Sequence, residues 1–537
     1  MPTRFYNTLA HALQEFTPLT PGPDAADALR GAVIRLYTCG PTVYDYAHIG
    51  NFRTFLFADV LRRYLAFRGA AVHQVMNMTD VGHMTDDTVA DATGEDKMAV
   101  AQKRMKENKK TGKAAVDNPD DPYQVAQFFV DRFLEDARAM RLAVVADYDA
   151  APADQRGNIM PRPTQRIPEF IAMIEKLIAH GHAYLGADGV VYYDVHSFPD
   201  YGKLSGNSLD QLSHGAGGRT NEQAAKRHPA DFFLWKPDQS HLMRWPSPWG
   251  EGYPGWHIEC SAMATGILGP ALDIHTGGED NIFPHHECEI AQSNGANGTP
   301  FARFWMHSRH LMVNGEKMSK SKGSFFTIRD LVAKGYDPLA IRLALISSRY
   351  RESMNFTLQG LHEAAAGVTT LRDLADKLLA SAGDDSRSSI VDPRLPAPNP
   401  EHSALSTQDS TLLAEFTRAM DDDLNTAGAL AAVFTWAAPL AKQKKIPEPQ
   451  ARSALAALQQ LDHVLGVVFA PLRALPADTA AQIESLMAAR SAARANKEWK
   501  TSDELRAQLT ALGAEVKDAP TGSTWRPRLA PAAILQP

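Results

Sequence analysis

Three observations predict an α/β fold. Residues 32–38 (AVIRLYT) read as a buried strand, a Cys-Gly-Pro turn follows, an amphipathic helix runs from His48 to Arg68, and residues 70–78 (AAVHQVMNM) read as the next strand. That strand–helix–strand order implies a parallel sheet of Rossmann type. Sheet-like signals then stop and return only after Gly252, so the sheet is split by a connective insertion. Beyond Asp330 the chain turns Ala- and Leu-rich, which predicts an α-helical bundle followed by a small C-terminal α/β module.

In chain order, residues 1–90 form the first half of the split domain and 91–250 the insertion. The insertion holds a polar, basic loop (Lys103–Lys113), helices near Val125–Met140 and Ile167–His180, a hairpin (Ala183–Val195) and a Gly-rich loop (His214–Thr220). Residues 251–330 complete the domain, with a helix (His257–Ile267), a strand (Ala271–His275), a helix (Pro284–Ser293), a strand (Ala302–Met312) and a Lys-rich loop (Lys317–Lys322). Residues 331–380 are helical, and 381–405, dense in Ser, Asp and Pro, read as a linker. Residues 406–472 form the bundle and 473–537 the last module, entered through a short Pro-containing linker (Pro471–Thr479).

A chain of 537 residues can bury several cores without disulfides. With 44% apolar and 22% charged residues, extended disorder is excluded. Three cysteines exclude a disulfide scaffold and suit a reducing compartment. The net charge of −7 is not that of a basic nucleic-acid coat, although it permits a local basic face. The N-terminal stretch has no apolar core of signal-peptide length, and the apolar segment Ala427–Ala441 is too short to span a bilayer and contains Pro439. A cytoplasmic protein without membrane contact is expected.

Three constellations carry chemistry. CGPTVYDYAHIGN (39–51) lies where a strand hands over to a helix, a place that offers unpaired N–H groups to phosphate. Gly50 allows close approach of a nucleotide, and His48 can donate to a phosphate oxygen as charge develops; a capped helix with a solvated His is the ordinary alternative. Lys317-Met-Ser-Lys320-Ser can clamp a polyphosphate, against a plain solvated loop. Cys39 and Cys260, with His285 and Glu289 spaced i, i+4 on one helix face, would make a tetrahedral Zn²⁺ site. Cys288, at i+3 from His285, competes with Glu289, and each Cys can equally be a small buried residue.

The first two motifs together resemble the HIGH and KMSKS signatures of class I aminoacyl-tRNA synthetases. YNTL (6–9), NMTD (77–80), PGWHIECSAM (254–263), FPHHECEIAQS (283–293), GEKMSKSKG (315–323), MDDDLNTAGAL (420–430) and GSTWR (522–526) narrow the resemblance to the cysteinyl-tRNA synthetase family over nearly the whole chain. The resemblance implies formation of cysteinyl-adenylate from L-cysteine and ATP, with Mg²⁺, and transfer to tRNA(Cys) by a monomeric enzyme. It implies zinc on Cys39, Cys260, His285 and Glu289, holding the substrate thiolate, with Glu289 the ligand best able to yield. It implies His48, Lys317 and Lys320 as catalytic, and His48, Gly50, Asn51 and Lys320 around ATP. It implies Thr79, Trp256 and His275 around the amino acid. It makes the C-terminal module an anticodon-binding one, with Arg490, Arg494 and Lys497 on a helix stripe and Trp499 and Trp525 as stacking candidates. The family's Ile-Asp-Asp-Lys stretch after NxTD is replaced by Asp80-Val-Gly-His-Met-Thr-Asp-Asp, with an extra polar, Lys-rich segment over about 95–120. That segment reads as a solvated loop, or alternatively as an acceptor-stem contact. A cysteine ligase with an amino-sugar acceptor would lack the terminal module, and a silent paralogue would be free to lose His48 and the zinc candidates.

Overall fold

The structure is a computed structural model that describes residues 2–24, 26–86, 93–110, 116–209, 225–318, 325–383, 405–519 and 522–533. Four parallel strands form the central sheet in the order Ala302–Ser308, Leu272–Gly278, Val33–Thr38, Ala71–Met76. Two of them precede the insertion in the chain and two follow it, so the sheet is assembled from both halves. The middle strands are buried along most of their length, Leu272–Gly278 throughout, as a sheet covered on both faces requires. Helix Ile49–Phe67 lies against the sheet, burying Ile49, Phe52, Phe55, Leu56, Val60 and Leu61.

The insertion carries an antiparallel sheet whose last strand runs past the expected boundary at 250; its order is Gly252–Pro254, Phe232–Pro237, Val191–Tyr193, Ala183–Leu185. Its aromatic face (Tyr193, Phe232, Trp235) packs with helices Ile167–Ala179, Trp256–Leu268 and Glu287–Asn297. One segment departs from the sequence reading. The basic stretch expected as a loop is helical over Lys97–Lys110. Its buried face is narrow, with Met98, Ala101 and Met105 set among lysines, so charge masks the helical period. The Gly-rich loop at 214–220 and most of the linker at 381–405 lie outside the described residues.

Helices Pro338–Ile346 and Leu358–Ala382 lead from the sheet domain to a bundle of Thr407–Asp421, Thr426–Lys442 and Glu448–Leu465. Asp421, Asp422 and Asp423 close the first bundle helix, each gripping the rest of the molecule. Asp421 accepts from Thr3 Oγ1 (2.6 Å), Tyr64 Oη (2.6 Å) and Arg68 Nη1 (2.5 Å). Asp422 pairs with Arg4 (3.2 Å) and Arg349 (3.5 Å). Asp423 accepts from the Tyr6 N–H (2.8 Å), Tyr350 Oη (2.6 Å) and Arg351 Nε (2.6 Å). Deeper in, Asp59 of the helix Ile49–Phe67 accepts from Arg63 Nε (2.7 Å), Arg342 Nη2 (2.6 Å) and the Ala143 N–H (2.6 Å). The same two guanidiniums donate to carbonyls of His463, Arg141, Leu465 and Met140, joining four segments at one carboxylate.

The last module pairs helices Ala477–Ala495 and Trp499–Ala511 with a hairpin, Ala514–Ala519 and Gly522–Pro527. It rests on helix Leu358–Ala382 through Lys517 and Arg526, both facing Asp373 (2.5 and 2.8 Å). No described helix is long and apolar enough to cross a membrane.

Candidate active site

The site lies at the carboxyl ends of the parallel strands, where open α/β sheets bind ligands. Cys39 leaves strand Val33–Thr38 and donates its N–H to Thr276 O of the next strand (3.0 Å). Gly40 donates to Asn77 Oδ1 (2.9 Å), and any Cβ at Gly40 would fall 1.8 Å from the Asn77 carbonyl oxygen. Glycine is required there by close backbone approach.

The turn then delivers His48 to the N-cap of helix Ile49–Phe67. His48 Nδ1 accepts from the Asn51 N–H (3.1 Å), while Asn51 Oδ1 accepts from the His48 N–H (3.0 Å), a reciprocal cap. An accepting Nδ1 puts the ring proton on Nε2, which makes His48 a neutral donor. Residues just past the Lys-rich loop meet it: the His48 ring lies edge-on to Phe325 (5.2 Å), and the Ile49 N–H donates to Phe326 O (2.9 Å). A Cβ at Gly50 would meet Met318 Cε at 2.6 Å. The two signature segments therefore converge. Lys320 lies outside the described residues, as does the Lys317 side chain.

Cys39, Cys260, His285 and Glu289, all buried, each offer one ligand atom within 4.8 Å of the others. Cys260 comes from helix Trp256–Leu268, His285 from the turn before helix Glu287–Asn297, and Glu289 from that helix. Glu289 Oε1 is 3.1 Å from His285 Nε2 and 3.6 Å from Cys39 Sγ, while Oε2 is 2.9 Å from His275 Nε2. A second set, Cys39, His275, His286 and Glu289, overlaps the first. His285 Nδ1 faces His257 Nδ1 (2.9 Å), and His286 Nδ1 faces His307 Nε2 (2.7 Å), so both rings are oriented from behind. Cys288 is elsewhere: its Sγ is 3.3 Å from Tyr201 Oη, inside the apolar cluster of the insertion.

Electrostatics in this cluster are strongly coupled. Burial alone would raise Glu289, but His275 and His285 pull it down to about 2. Burial would lower His285, yet Glu289 and Cys260 raise it to about 10. The hydrogen bond from Cys39, helped by His285, lowers Cys260 to about 6 against its burial, and burial pushes the Cys39 thiol up. These shifts favour the thiolate at Cys260, the thiol at Cys39, the imidazolium at His285 and the carboxylate at Glu289.

Residues 25–366 match the family described as the tRNA synthetases class I (C) catalytic domain, 415–470 the DALR domain, and 477–526 the cysteinyl-tRNA ligase anticodon binding domain. A cysteine–tRNA ligase of Salinibacter ruber is 40% identical over 552 residues, covering 98% of each chain. This chain belongs to the cysteine–tRNA ligase family of class I tRNA synthetases. A cysteine–tRNA ligase of Symbiobacterium thermophilum is likewise 40% identical, over 98% of this chain and 100% of its own. A Mycobacterium tuberculosis methionyl-tRNA synthetase in complex with methionyl-adenylate aligns over 80% of this chain and 90% of its own, at TM-score 0.49 and 13% identity.

The remaining predicted residues fall in different places. The Trp256 ring lies 4.3 Å from the His285 ring. Thr79 is buried, 2.9 Å from Asn77 Nδ2 and 3.5 Å from Glu259 Oε2. His275 sits beneath Glu289, stacked on Trp305 (4.5 Å). In the last module the expected stripe is broken. Arg490 is 2% exposed and gives Nη1 and Nη2 to Asp518 (2.8 and 2.9 Å), which makes it an interior anchor of the module in place of an exposed member of the stripe. Its helix face turns inward because Ile483, Met487 and Ala493 share it. Trp525 is half-buried with Nε1 on Glu484 (2.7 Å), Arg494 is partly held by Asp518 (3.4 Å), and Trp499 is 58% exposed. Sequence reasoning did not single out Glu259 or His83, which pair at 2.9 Å beside Thr79. An acid three residues after Trp256, in the first turn of helix Trp256–Leu268, was the available signal for Glu259.

Proposed function

We propose that this chain is a cysteine–tRNA ligase, which activates L-cysteine with ATP and transfers it to the 3′ end of tRNA(Cys). The convergence of the four-donor cluster with the His48 helix N-terminus at one end of the sheet carries this reading. The donor set suits zinc, since two sulfurs, an imidazole and a carboxylate are its preferred ligand types. When bound, zinc would supply a soft Lewis acid that takes a substrate thiolate far better than a serine hydroxyl. Cys39, Cys260, His285 and Glu289 would hold it. This set is preferred over the overlapping one because it contributes both sulfurs. Discrimination at binding matters because a plain pocket separates such close analogues by only ~1–3 kcal/mol.

Trp256 walls the amino-acid pocket next to His285, and Thr79 and His275 supply polar groups at its floor. ATP, with Mg²⁺, lies between the signature segments, against Gly50 and Asn51. The substrate carboxylate attacks the α-phosphorus and pyrophosphate leaves. His48 donates from Nε2 to phosphate as charge builds, and Lys317 and Lys320 neutralise the leaving group. The C-terminal module would read the anticodon through its exposed groups, Arg494, Lys497 and Trp499, with Trp525 at its edge. A monomer working in the cytoplasm completes the reading.

The test is charging of total tRNA with labelled cysteine beside cysteine-dependent ATP–pyrophosphate exchange. Both should proceed. Exchange without charging of a matched tRNA would hand the acceptor role to another molecule and overturn the ligase reading.

A further inference from the structure

The N-terminal segment YNTL (6–9) reaches the four-donor cluster from behind. Its Asn7 is buried against Ala302–Ser308, the edge strand of the central sheet. Asn7 Nδ2 donates to Arg303 O (2.9 Å), and Asn7 Oδ1 accepts from the Trp305 N–H (3.1 Å). These bonds set Thr8 beside His307 of the same strand. Thr8 Oγ1 is 2.8 Å from His307 Nδ1, His307 Nε2 is 2.7 Å from His286 Nδ1, and His286 Nε2 is 3.2 Å from Cys39 Sγ. All four side chains are buried. Gly277 makes room for the middle ring, since a Cβ there would meet His286 Cε1 at 2.6 Å. His275 and Trp305 flank that ring, with centroids 4.4 and 5.1 Å away. An unbroken line of three contacts therefore joins an N-terminal hydroxyl to Cys39.

We propose that Thr8 is a positioning residue that, through His307 and His286, directs an N–H onto the Cys39 sulfur. The proposal rests on the reading of Cys39 as a zinc ligand. A cysteine sulfur on a metal has lost its proton, so Cys39 Sγ can then only accept. Burial favours the neutral form of each ring, with one proton apiece. His286 then carries its proton on Nε2, which leaves Nδ1 to accept. His307 donates to it from Nε2, which leaves its own Nδ1 to accept. Thr8 closes the line as the donor, a part its hydroxyl can take. Without that hydroxyl, His307 Nδ1 is a buried acceptor with no donor, and reversing both tautomers would aim a lone pair at the sulfur. Two thiolates and a carboxylate make the filled site rich in negative charge before any substrate thiolate arrives. A hydrogen bond to Cys39 draws part of that charge away from the metal, as outer-shell partners do when they tune an ion.

Thr8→Val keeps the shape of the side chain and removes the hydroxyl, whereas Thr8→Ser keeps the hydroxyl. Both variants are compared with the full-length parent for zinc affinity, by competition with a chromogenic chelator. After cobalt replacement, the energy of the sulfur-to-cobalt charge-transfer band is compared as well. Thr8→Val should bind zinc about tenfold more weakly, the lower end for loss of an outer-shell partner. Its band should move to lower energy, since a thiolate without a donor holds its electrons less tightly. Thr8→Ser should stay within about twofold of the parent, because the donor is retained. A Thr8→Val protein that only melts earlier, with affinity and band unchanged, would make Thr8 a packing residue and overturn the proposal. Thr8→Ser behaving like Thr8→Val would overturn it too. The parent offers a check that needs no variant: nitrogen NMR of the labelled, zinc-loaded protein should find His286 and His307 both protonated at Nε2. A proton on Nδ1 of either ring would break the line. A parent that binds no zinc would instead refute the metal reading beneath the proposal, and the proposal with it.

Discussion

Asp59→Asn removes one negative charge from the point where two buried guanidiniums meet. Arg63 and Arg342 are 1% and 0% exposed, and Asp59 is 2% exposed. The wild-type carboxylate accepts three short hydrogen bonds from them and from Ala143. The amide keeps one acceptor and turns an N–H₂ toward a donor. Breaking a buried pair from one side costs about 3–5 kcal/mol, a large part of a typical stability of about 5–15 kcal/mol. Asp422→Asn is the control: its partners Arg4 and Arg349 are 48% and 33% exposed, and such pairs contribute about 0–1 kcal/mol. Urea unfolding followed by circular dichroism should show a far larger fall in midpoint for Asp59→Asn than for Asp422→Asn. Equal shifts would refute the reasoning. The pH dependence has a definite sign. Burial would raise the Asp59 carboxyl, but Arg63 and Arg342 hold it below its ordinary value. Its stabilisation is therefore complete above the unfolded value near 3.9 and is lost as pH falls through the lower folded value. The gap between variant and parent should close in that acid window.

Zinc loading of metal-free protein near neutral pH should release about two protons per ion, one from Cys39 and one from His285, because Cys260 and Glu289 are already ionised. Calorimetry in buffers of different ionisation enthalpy measures this, and release of none would contradict the charge states described. Glu289→Ala should lose zinc, whereas Cys288→Ser should retain it, since Cys288 faces Tyr201; the reverse ranking in metal analysis would exchange their roles. Trp499→Ala should raise the KM for tRNA while leaving pyrophosphate exchange and melting unchanged, and Arg490→Met should do the opposite to melting by stranding Asp518. A silent Trp499→Ala in charging assays would remove that residue from recognition.

The strands of the central sheet and helix Ile49–Phe67 were legible because long, one-sided or fully apolar runs announce themselves. Cys39, Cys260, His285 and Glu289 were legible as types and, for the last two, as spacing; that strands and helices from both halves would bring them together came from the resemblance. Arg490 was misread because i, i+4 spacing shows that residues share a face, not whether that face is wet. Helix Lys97–Lys110 was missed because three small apolar contacts among many charges leave little periodic signal. Asp59 and Arg342 lie 283 positions apart, and no local pattern links them.

The three consecutive carboxylates Asp421, Asp422 and Asp423 have a consequence for recombination. Each faces a different counterpart: the N-terminal strand with Tyr64 and Arg68, the Arg4–Arg349 rim, and the Tyr350–Arg351 bend. A crossover that takes the bundle from one parent and the remainder from another must carry all of these partners along, or the joint loses its register. Deleting one residue within the triplet would leave two carboxylates for three sets of partners. Breakpoints placed in the linker at 381–405, although attractive by composition, would therefore separate groups that function as one joint.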